Sequence, residues 1–339
     1  MTTVVTDLIS RARSGDGDAF REMIEPHVRE LRVHCYRMLG SLHDAEDALQ
    51  DTLVAAWQGL DAFQGRASLR TWLYRIATNR CLNLRRSTSR RLAREWNIPG
   101  VVPPEPTRLG EVVWLEPFPD ALLDDGIHGP LGPEARYEQT ESISIAFITA
   151  LQLLPPRQLA VLILRDVLGF RASEVADILD STVESVTSAL KRARASLHRL
   201  PTTDDREPPP APGSPAEVAL VAKFVSAYES GDLDALVSLL TDDVFMSMPP
   251  MPLEYEGRQP VSDFCSLLFA SGRSYELVPT RANGQPAFAL YVRAADGASR
   301  GTGLIALTLA GEQIRAMIRF EDNVLPLFEL PHSLPNKRS

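Results

Sequence analysis

Nine arginines and no acidic residue lie between Phe63 and Arg94 of this chain. The preceding segment, Asp44 to Asp61, has the opposite character, with five acids and no lysine or arginine. A guanidinium group keeps its charge and donates several hydrogen bonds from one plane, which suits it to phosphate. Because like charges in a folded segment repel one another unless an anion is near, the reversal of charge points to nucleic acid as a partner. An ordinary basic helix face is the alternative.

Cysteine and histidine show no pattern of metal ligands. Cys35, Cys81 and Cys265 are far apart and form no C-x-x-C pair, and the six histidines have no H-E-x-x-H or related spacing. Zinc sites in proteins need such clusters of ligands. We therefore expect reduced cysteines in the core, no metal and no cofactor.

Length and hydropathy predict a multidomain protein of the cytoplasm. The chain has 339 residues, enough for two or three domains, and 44% of them are hydrophobic. No apolar run approaches the ~20 residues of a membrane span, and the N-terminus lacks a signal-peptide core. We expect no contact with a membrane.

Two proline-rich segments divide the chain into three folded parts. They are Pro99 to Pro133, which reads as an extended connector, and Arg206 to Pro215, which has the composition of a semi-rigid linker. Proline breaks a helix, so regular structure is expected on either side of each segment.

In the first part, apolar residues recur at helical spacing and predict two amphipathic helices. The apolar sets are Leu49, Leu53, Ala56 and Trp57 in the first helix, and Leu69, Trp72, Leu73, Ile76, Ala77 and Leu84 in the second. Ser68 is the expected N-cap of the second helix. Arg70, Tyr74, Thr78 and Asn79 lie mostly off its apolar stripe, which predicts a cationic, hydrogen-bonding front.

The second part, from about Arg136 to Arg199, predicts two short helices joined by a tight turn. Residues 173–179 form the first helix, 180–182 the turn, and Thr182 caps the second helix. The expected buried row of the second helix is Val186, Leu190, Ala193 and Leu197. This pattern is typical of a helix-turn-helix, with a helical hairpin that has no role in DNA binding as the alternative.

The third part predicts an α+β domain. Ser214, Pro215 and Glu217 form a helix-start signal, and Gly231 ends that helix. Helices are expected at 234–240 and 261–270, and strands near 244–248, 275–279, 287–293, 303–309 and 314–320. Turns at Asn283-Gly284, Asp296-Gly297 and Gly311 predict antiparallel hairpins.

The first two parts resemble a bacterial sigma factor of the extracytoplasmic-function group (group IV) of the sigma-70 family. The resemblance rests on residues 44–51, on Phe63-Gln64-Gly65, on 71–77 with 79–81, and on 154–158 with the helix-turn-helix. It implies two all-α sigma domains that bind core RNA polymerase and promoter DNA, as a -35 duplex and a -10 single strand.

The resemblance also implies roles for particular residues. The acidic helix of the family docks on RNA polymerase, and that role maps onto Asp47, Gln50 and Asp51. The residues expected at the -10 element are Phe63, Arg66, Arg70, Asn79, Arg80, Arg85 and Arg86. Those expected at the -35 element are Ser185, Thr187, Ser188, Lys191 and Arg192. Thr187 and Ala189 stand where many members have lysine or arginine, so the -35 sequence is not inferred from relatives.

The third part resembles the SnoaL-like fold, a cone-shaped α+β domain found in enzymes and in ligand binders. An enzyme of this fold needs a carboxylate or histidine in the cone, and the candidates are Asp242, Asp243 and Glu254. No histidine lies between Pro215 and Pro331. We expect no catalytic residue, and a domain that modulates the sigma factor in cis through a small-molecule ligand or a protein regulator.

The expected fold class is therefore two all-α sigma domains followed by an α+β SnoaL-like domain. The expected boundaries are 4–95 for sigma domain 2, 96–135 for the connector, 136–200 for sigma domain 4, 201–214 for the linker and 215–330 for the SnoaL-like domain. Two other functions stay open: a helix-turn-helix regulator that senses a ligand, and a SnoaL-type enzyme tethered to a DNA-binding arm.

The connector suggests a form of regulation. Nine acids lie between Pro104 and Glu141, against Arg108 and Arg136. Our hypothesis is that the third domain pins this acidic segment through Trp114, Phe118 and Asp120, and that the segment competes with DNA for the basic helix. A solvated linker is the alternative.

Overall fold

The computed structural model describes residues 3–88, 94–96, 101–111, 114–123, 142–198, 207–294 and 296–335. The chain forms two compact units, Met1–Arg91 with Leu122–Thr202, and Leu92–Ala121 with Thr203–Ser339. The first part of the predicted connector thus belongs to the same unit as the C-terminal domain. Arg90, Arg91, the acids from Asp124 to Glu141 and linker residues 201–206 lie outside the described residues.

The N-terminal domain of the first unit is built from four long helices in the described residues. They are α1 (Thr3–Arg13), α2 (Gly17–Leu39), α3 (Leu42–Gln58) and α4 (Leu69–Thr88). The start of α4 is the predicted one, since the Ser68 hydroxyl accepts a hydrogen bond from the Thr71 amide at 3.0 Å. Among described helices, none is long and apolar enough to cross a membrane.

Two side chains on α4 correct the expected cationic front. Tyr74 and Thr78 are fully buried, because α2 packs over this side of α4. The Thr78 hydroxyl lies 2.9 Å from Nε2 of His34, and the Tyr74 and His34 rings are 4.9 Å apart. In α3 the sequence prediction is wrong in the other direction, because Trp57 was expected in the core and is 39% exposed.

The second domain of the first unit contains the helix-turn-helix. Its helices are α5 (Ile145–Gln152), α6 (Pro156–Leu162), which continues as a π-helical turn (Ile163–Val167), α7 (Ala172–Ile178) and α8 (Val183–Leu197). Helices α7 and α8 are joined through Asp180, whose φ is +46°. The Thr182 hydroxyl caps α8 by accepting from the Ser185 amide at 3.2 Å, as predicted.

The second unit has an eight-stranded sheet in its described residues. The strands are β1 (Arg108–Leu109), β2 (Leu240–Met248), β3 (Met251–Glu256), β4 (Tyr275–Ala282), β5 (Gln285–Arg293), β6 (Ser299–Ala310), β7 (Gln313–Phe320) and β8 (Ser333–Leu334). Their order is β1-β3-β2-β7-β6-β5-β4, with β8 beside β6. The predicted hairpins between β4 and β7 are confirmed, whereas β2 pairs with β7 in parallel.

Three helices accompany this sheet: α9 (Pro215–Ser230), α10 (Leu233–Ser238) and α11 (Arg258–Ala270). Phe224 of α9 and Phe264 of α11 share one hydrophobic core with Phe288 of β5 and Met317 of β7. The Ser214 cap is present, since its hydroxyl accepts from the Glu217 amide at 3.3 Å. The Glu217 carboxylate accepts from the Gly213 amide at 2.6 Å and not from the Ser214 amide, as a capping box would require.

Residues 94–96, 101–111 and 114–120, here named the strap, pack on the C-terminal domain. Val101 lies in the core of that domain, and the Trp96 ring meets Phe264 edge-on at 5.7 Å. Strand β1 of the strap adds an antiparallel edge to β3. These residues carry the composition of a linker, but their apolar side chains and backbone amides are used in folding.

Candidate nucleic-acid interface

Helix α4 presents one exposed polar face in the first unit. Arg75, Asn79, Asn83 and Arg86 recur at the spacing of one helix side, and all are exposed except half-buried Asn79. Arg80 is exposed beside this face, and exposed Arg66 precedes the helix in the loop 63–68. A face of arginine and asparagine without an acid can neutralise phosphates and hydrogen-bond the edges of bases.

Three other residues predicted at the -10 element are occupied inside the protein. Phe63 is buried, with its ring 4.9 Å from that of Trp72. The Arg70 guanidinium donates to Glu30 at 3.0 Å and lies 4.6 Å from the centre of the Phe170 ring. The predicted set therefore splits into an exposed group and a group used in internal packing.

Arg85 of α4 joins the two helical domains. Its guanidinium donates to the Met38 carbonyl at 2.9 Å and to the side-chain oxygen of Gln152 at the end of α5. Burial lowers the pKa of Arg85. Nearby, Arg75 forms an ion pair with Asp180 of the helix-turn-helix at 2.6 Å. The basic helix is thus partly covered by the second domain.

Glu30 shows how the buried side of α4 is neutralised. Burial alone would raise the pKa of its carboxyl, but hydrogen bonds from His27 and Arg70 outweigh this and lower it. The Tyr74 hydroxyl donates to the same carboxylate at 3.3 Å. The Glu30 carboxylate thus binds both Arg70 and Tyr74. No pattern in the sequence predicts these two contacts.

The recognition helix α8 presents the predicted -35 set on its outer side. Ser185, Thr187, Ser188, Lys191 and Arg192 are all exposed. The Thr187 hydroxyl donates to the Val183 carbonyl at 2.9 Å. Thr187 is exposed, whereas Ala189 is buried. The outer face of α8 is therefore mostly small hydroxyl groups with a cationic end.

Helix α3 carries a different exposed face. Asp47, Gln50 and Asp51 are exposed, and Val54 and Trp57 continue the same side with exposures of 55% and 39%. Exposed apolar side chains beside acids on a helix are typical of a surface that binds another protein. Sequence reasoning missed Val54 and misplaced Trp57; the signal was their spacing of four and seven residues from Gln50.

The strap residues singled out by sequence are all held by the second unit. The Phe118 amide donates to Oδ1 of Asn283 at 2.8 Å, and the Asn283 amide returns a 2.8 Å bond to the Phe118 carbonyl. Asp120 accepts from the Gly284 amide at 2.7 Å and pairs with Arg281 at 3.4 Å. The Trp114 ring lies 5.5 Å from the Arg94 guanidinium.

The three candidate general bases of the C-terminal domain lie apart from its cavity. That cavity, about 180 Å³, is lined by residues of α9, α11 and four strands, and by none of Asp242, Asp243 or Glu254. Asp242 is exposed and pairs with Arg258 at 3.1 Å, while Glu254 pairs with Arg108 of the strap. In the described part of the chain, no group of carboxylates, cysteines and histidines is placed to hold a metal.

Three families match successive parts of the chain. Sigma-70 region 2 matches residues 23–91, sigma-70 region 4 matches 144–197, and the SnoaL-like domain matches 221–322. The three families therefore match the chain in the same order as the two helical domains and the α+β domain of the structure.

Relatives cover the whole arrangement. The chain is 42% identical to the ECF RNA polymerase sigma factor SigG of Mycobacterium tuberculosis, over 95% of this chain and 86% of that protein. It is 26% identical to the ECF RNA polymerase sigma factor SigW of Bacillus subtilis, over 59% of this chain and 97% of that protein. The fold is also that of the extracytoplasmic function sigma factor SigJ of M. tuberculosis, with a TM-score of 0.57 at 20% identity, covering 89% of this chain and 97% of that one.

A basic helix, a helix-turn-helix and the sigma-70 regions that contain them define a protein of transcription initiation. The chain belongs to the ECF RNA polymerase sigma factors, in a form that carries a C-terminal SnoaL-like domain. Its function is to direct RNA polymerase to particular promoters.

Proposed function

We propose that the sigma factor meets polymerase and promoter DNA through three separate exposed faces of its first unit. The observation that carries this proposal is the contrast between neighbouring helices: α3 exposes acids with Val54 and Trp57, and α4 exposes arginine and asparagine. Core RNA polymerase docks on the face of Asp47, Gln50, Asp51, Val54 and Trp57.

The -10 element is held by the exposed group on α4. Arg66, Arg80 and Arg86 neutralise phosphates, and Asn79 hydrogen-bonds a base whose partner strand has separated. Arg70 and Arg85 reach DNA only when α4 parts from Phe170 and Gln152, because those residues hold their guanidinium groups in this conformation.

The -35 element lies against the outer face of α8. Ser185, Thr187 and Ser188 are short, so they bring the helix close to the floor of the major groove, and Lys191 with Arg192 contacts phosphate or guanine. Such a face contributes affinity through two cations and selectivity through shape and hydroxyl groups.

The C-terminal domain acts in cis and without catalysis. Its support is the strap, which this domain holds through Trp96, Val101 and Asp120. Asp242, Asp243 and Glu254 lie away from the cavity, and of the two carboxylates that do line it, Glu321 pairs with Arg94. Asp120 is hydrogen-bonded to the Gly284 amide and paired with Arg281, so this acid does not compete with DNA for the basic helix. We propose instead that the C-terminal domain acts by holding the strap in place. The protein works in the cytoplasm, where polymerase and promoters are found.

Two substitutions test the division of labour between α3 and α4. Arg80→Ala should weaken open-complex formation at a cognate promoter by about tenfold, because it removes a phosphate or base contact worth roughly 1–3 kcal/mol, and should leave polymerase affinity unchanged. Asp51→Arg should lower polymerase affinity. The measurements are permanganate footprinting of the melted strand and fluorescence anisotropy of labelled protein with core enzyme.

Arg21→Ala and Glu22→Arg are matched controls, since both residues are exposed on α2 outside the proposed faces. They should leave both measurements at the wild-type value. Equal loss of polymerase binding in Arg80→Ala and Asp51→Arg would contradict the proposal.

A further inference from the structure

The recognition helix α8 begins with an exposed apolar side chain. Val183 is its first residue, directly after the Thr182 cap, and is 42% exposed. Val186 and Leu190 of the same helix are buried in the domain. Val183 therefore belongs to the surface of the helix-turn-helix and not to its core.

Thr187 lies one turn further along the same side of α8. Its hydroxyl donates to the Val183 carbonyl at 2.9 Å, so the hydroxyl hydrogen is used inside the helix. The exposed side chain offers a partner its methyl group and the lone pairs of its oxygen. Val183 and Thr187, here named the methyl pair, thus present mainly carbon to the outside.

The charges on α8 divide the helix into two parts. Its first two turns, residues 183–190, contain no lysine or arginine and one exposed acid, Glu184. Lys191 and Arg192 follow as exposed cations. Because the acid repels phosphate and the cations attract it, the DNA backbone is expected at the later turns. The first two turns are left for the edges of the bases, where the start of a recognition helix commonly lies.

Thymine differs from the other bases in the major groove by its C5-methyl group. Adenine, guanine and cytosine are distinguished there by hydrogen-bond donors and acceptors. A valine side chain has neither, so against such an edge it would remove water from polar atoms without replacing the lost hydrogen bonds. The chemistry of the methyl pair therefore favours thymine.

We propose that Val183 and Thr187 are specificity-determining residues that contact the methyl groups of thymine in the -35 element. This inference rests on the proposed placement of α8 at that element. The methyl pair is continuous with exposed Ser188 and Lys191 of the same interface. Carbon atoms of the pair pack on thymine, while Lys191 and Arg192 supply affinity through phosphate. The holoenzyme thus requires thymine at one or more positions of the -35 element.

Replacement of thymine by deoxyuridine tests this contact, because the two bases pair identically and differ only in the C5-methyl. The full-length protein with core polymerase is titrated into fluorescent duplexes of a cognate promoter, and binding is followed by anisotropy. Each thymine of the -35 element, on either strand, is replaced in turn. At a contacted position deoxyuridine should weaken binding about threefold, the factor that corresponds to burial of roughly one CH₂ group. Equal binding of every substituted duplex would overturn the proposal without any variant of the protein.

Val183→Ala removes two methyl groups at an exposed position, so the fold should be kept. It should weaken binding of the thymine duplex about threefold and make deoxyuridine equivalent to thymine at the position that Val183 contacts. Val218→Ala, at a 57% exposed position on α9, is the matched control and should respond to deoxyuridine like the wild type. If Val183→Ala keeps the whole pattern of deoxyuridine sensitivity, the role of Val183 is wrong.

Lys191→Ala separates this inference from the placement of α8. Loss of the cation should weaken binding of all the duplexes by the same factor. If Lys191→Ala weakens binding and deoxyuridine has no effect, α8 faces DNA without contacting thymine methyl groups, and this inference alone fails. If neither change has an effect, the placement of α8 at the -35 element fails with it.

Discussion

His34 illustrates how a single buried residue links the stability of the N-terminal domain to pH. Its ring is fully buried and shares a hydrogen bond with the Thr78 hydroxyl between α2 and α4. Burial, together with the nearby Arg37, lowers the pKa of His34 from 6.5 to about 3. The folded domain therefore holds this histidine in its neutral form near neutral pH.

Acid should weaken the N-terminal domain through His34. Below about pH 6.5 the unfolded chain binds a proton at this histidine and the folded chain does not, so the stability present above pH 6.5 falls as the pH is lowered toward 3. Between pH 7 and pH 5 the loss is about 2 kcal/mol. Urea unfolding followed by far-ultraviolet circular dichroism measures it.

His34→Gln keeps a donor for Thr78 and removes the titrating group. The difference between the wild type and this variant isolates the histidine from the carboxylates that also titrate in acid. Identical pH dependence in the two proteins would contradict the assignment.

At the scale of elements, α4 has one face for DNA and one face for the second helical domain. Phe170, which follows the π-helical turn, is buried against the Tyr74 ring at 5.1 Å and the Arg70 guanidinium at 4.6 Å. Aromatic and cation–π contacts of this kind contribute about 0.5–2 kcal/mol beyond the burial of area. Phe170 and Tyr74 are therefore the aromatic contacts of the Arg70 guanidinium, whose side chain is 37% exposed.

Phe170→Ala should loosen the second domain from α4. The substitution costs roughly 3–5 kcal/mol, by the usual loss for truncating a buried phenylalanine, and should raise amide hydrogen exchange in the first half of α4 while α3 stays protected. Mass spectrometry of peptides covering residues 69–80 reads the change. Val183→Ala, at a 42% exposed position in the same domain, is the control and should leave exchange as it is; unaltered exchange in Phe170→Ala would mean that other contacts hold the domains together.

The turn between β4 and β5 holds the end of the strap. Asn283 is buried with a φ of +57°, and Gly284 follows with a φ of +74°, the conformations of a type I′ hairpin turn. Asparagine tolerates this backbone, and its side chain reaches the Phe118 amide. Turn and strap thus depend on the same residue.

Substitution of Asn283 should release the end of the strap. Asn283→Gly keeps the backbone conformation and loses the buried hydrogen bond, which costs about 1–3 kcal/mol. Asn283→Ala adds about 1–2 kcal/mol for the left-handed backbone. Exchange at residues 115–120 should rise in both variants, and thermal stability should fall further for alanine; equal stability of the two variants would contradict the strain argument.

Helix and strand positions were largely predictable because they follow from periodicity and from local caps such as Ser68, Thr182 and Gly231. The contacts between residues that are far apart in the chain were not predictable. No pattern in the sequence indicates that Glu30 binds Arg70, that Tyr74 and Thr78 face His34, or that β3 and the strap complete the sheet, because each of these contacts depends on residues far away in the chain. The exposed residues of α8 were predicted because a helix-turn-helix fixes which side is buried.

For the whole molecule, the chain order ties the strap to both helical domains. Residues 92–121, which fold with the C-terminal domain, come between Met1–Arg91 and Leu122–Thr202 along the chain. Any change in how the C-terminal domain holds the strap must therefore act on the covalent link between the two sigma domains. This connection is the route by which we propose that the fused domain regulates promoter binding.

We propose that this sigma factor is modulated in cis by its C-terminal domain. Transcription in vitro with purified core polymerase on genomic fragments tests it, comparing the full-length protein with a version that ends at Pro208. We expect discrete start sites that core enzyme alone does not use, at the same positions for both proteins, with the amount of transcript changed by the truncation. Absence of discrete starts with the full-length protein would contradict the sigma function, and equal transcript from both proteins under all conditions would contradict control by the C-terminal domain.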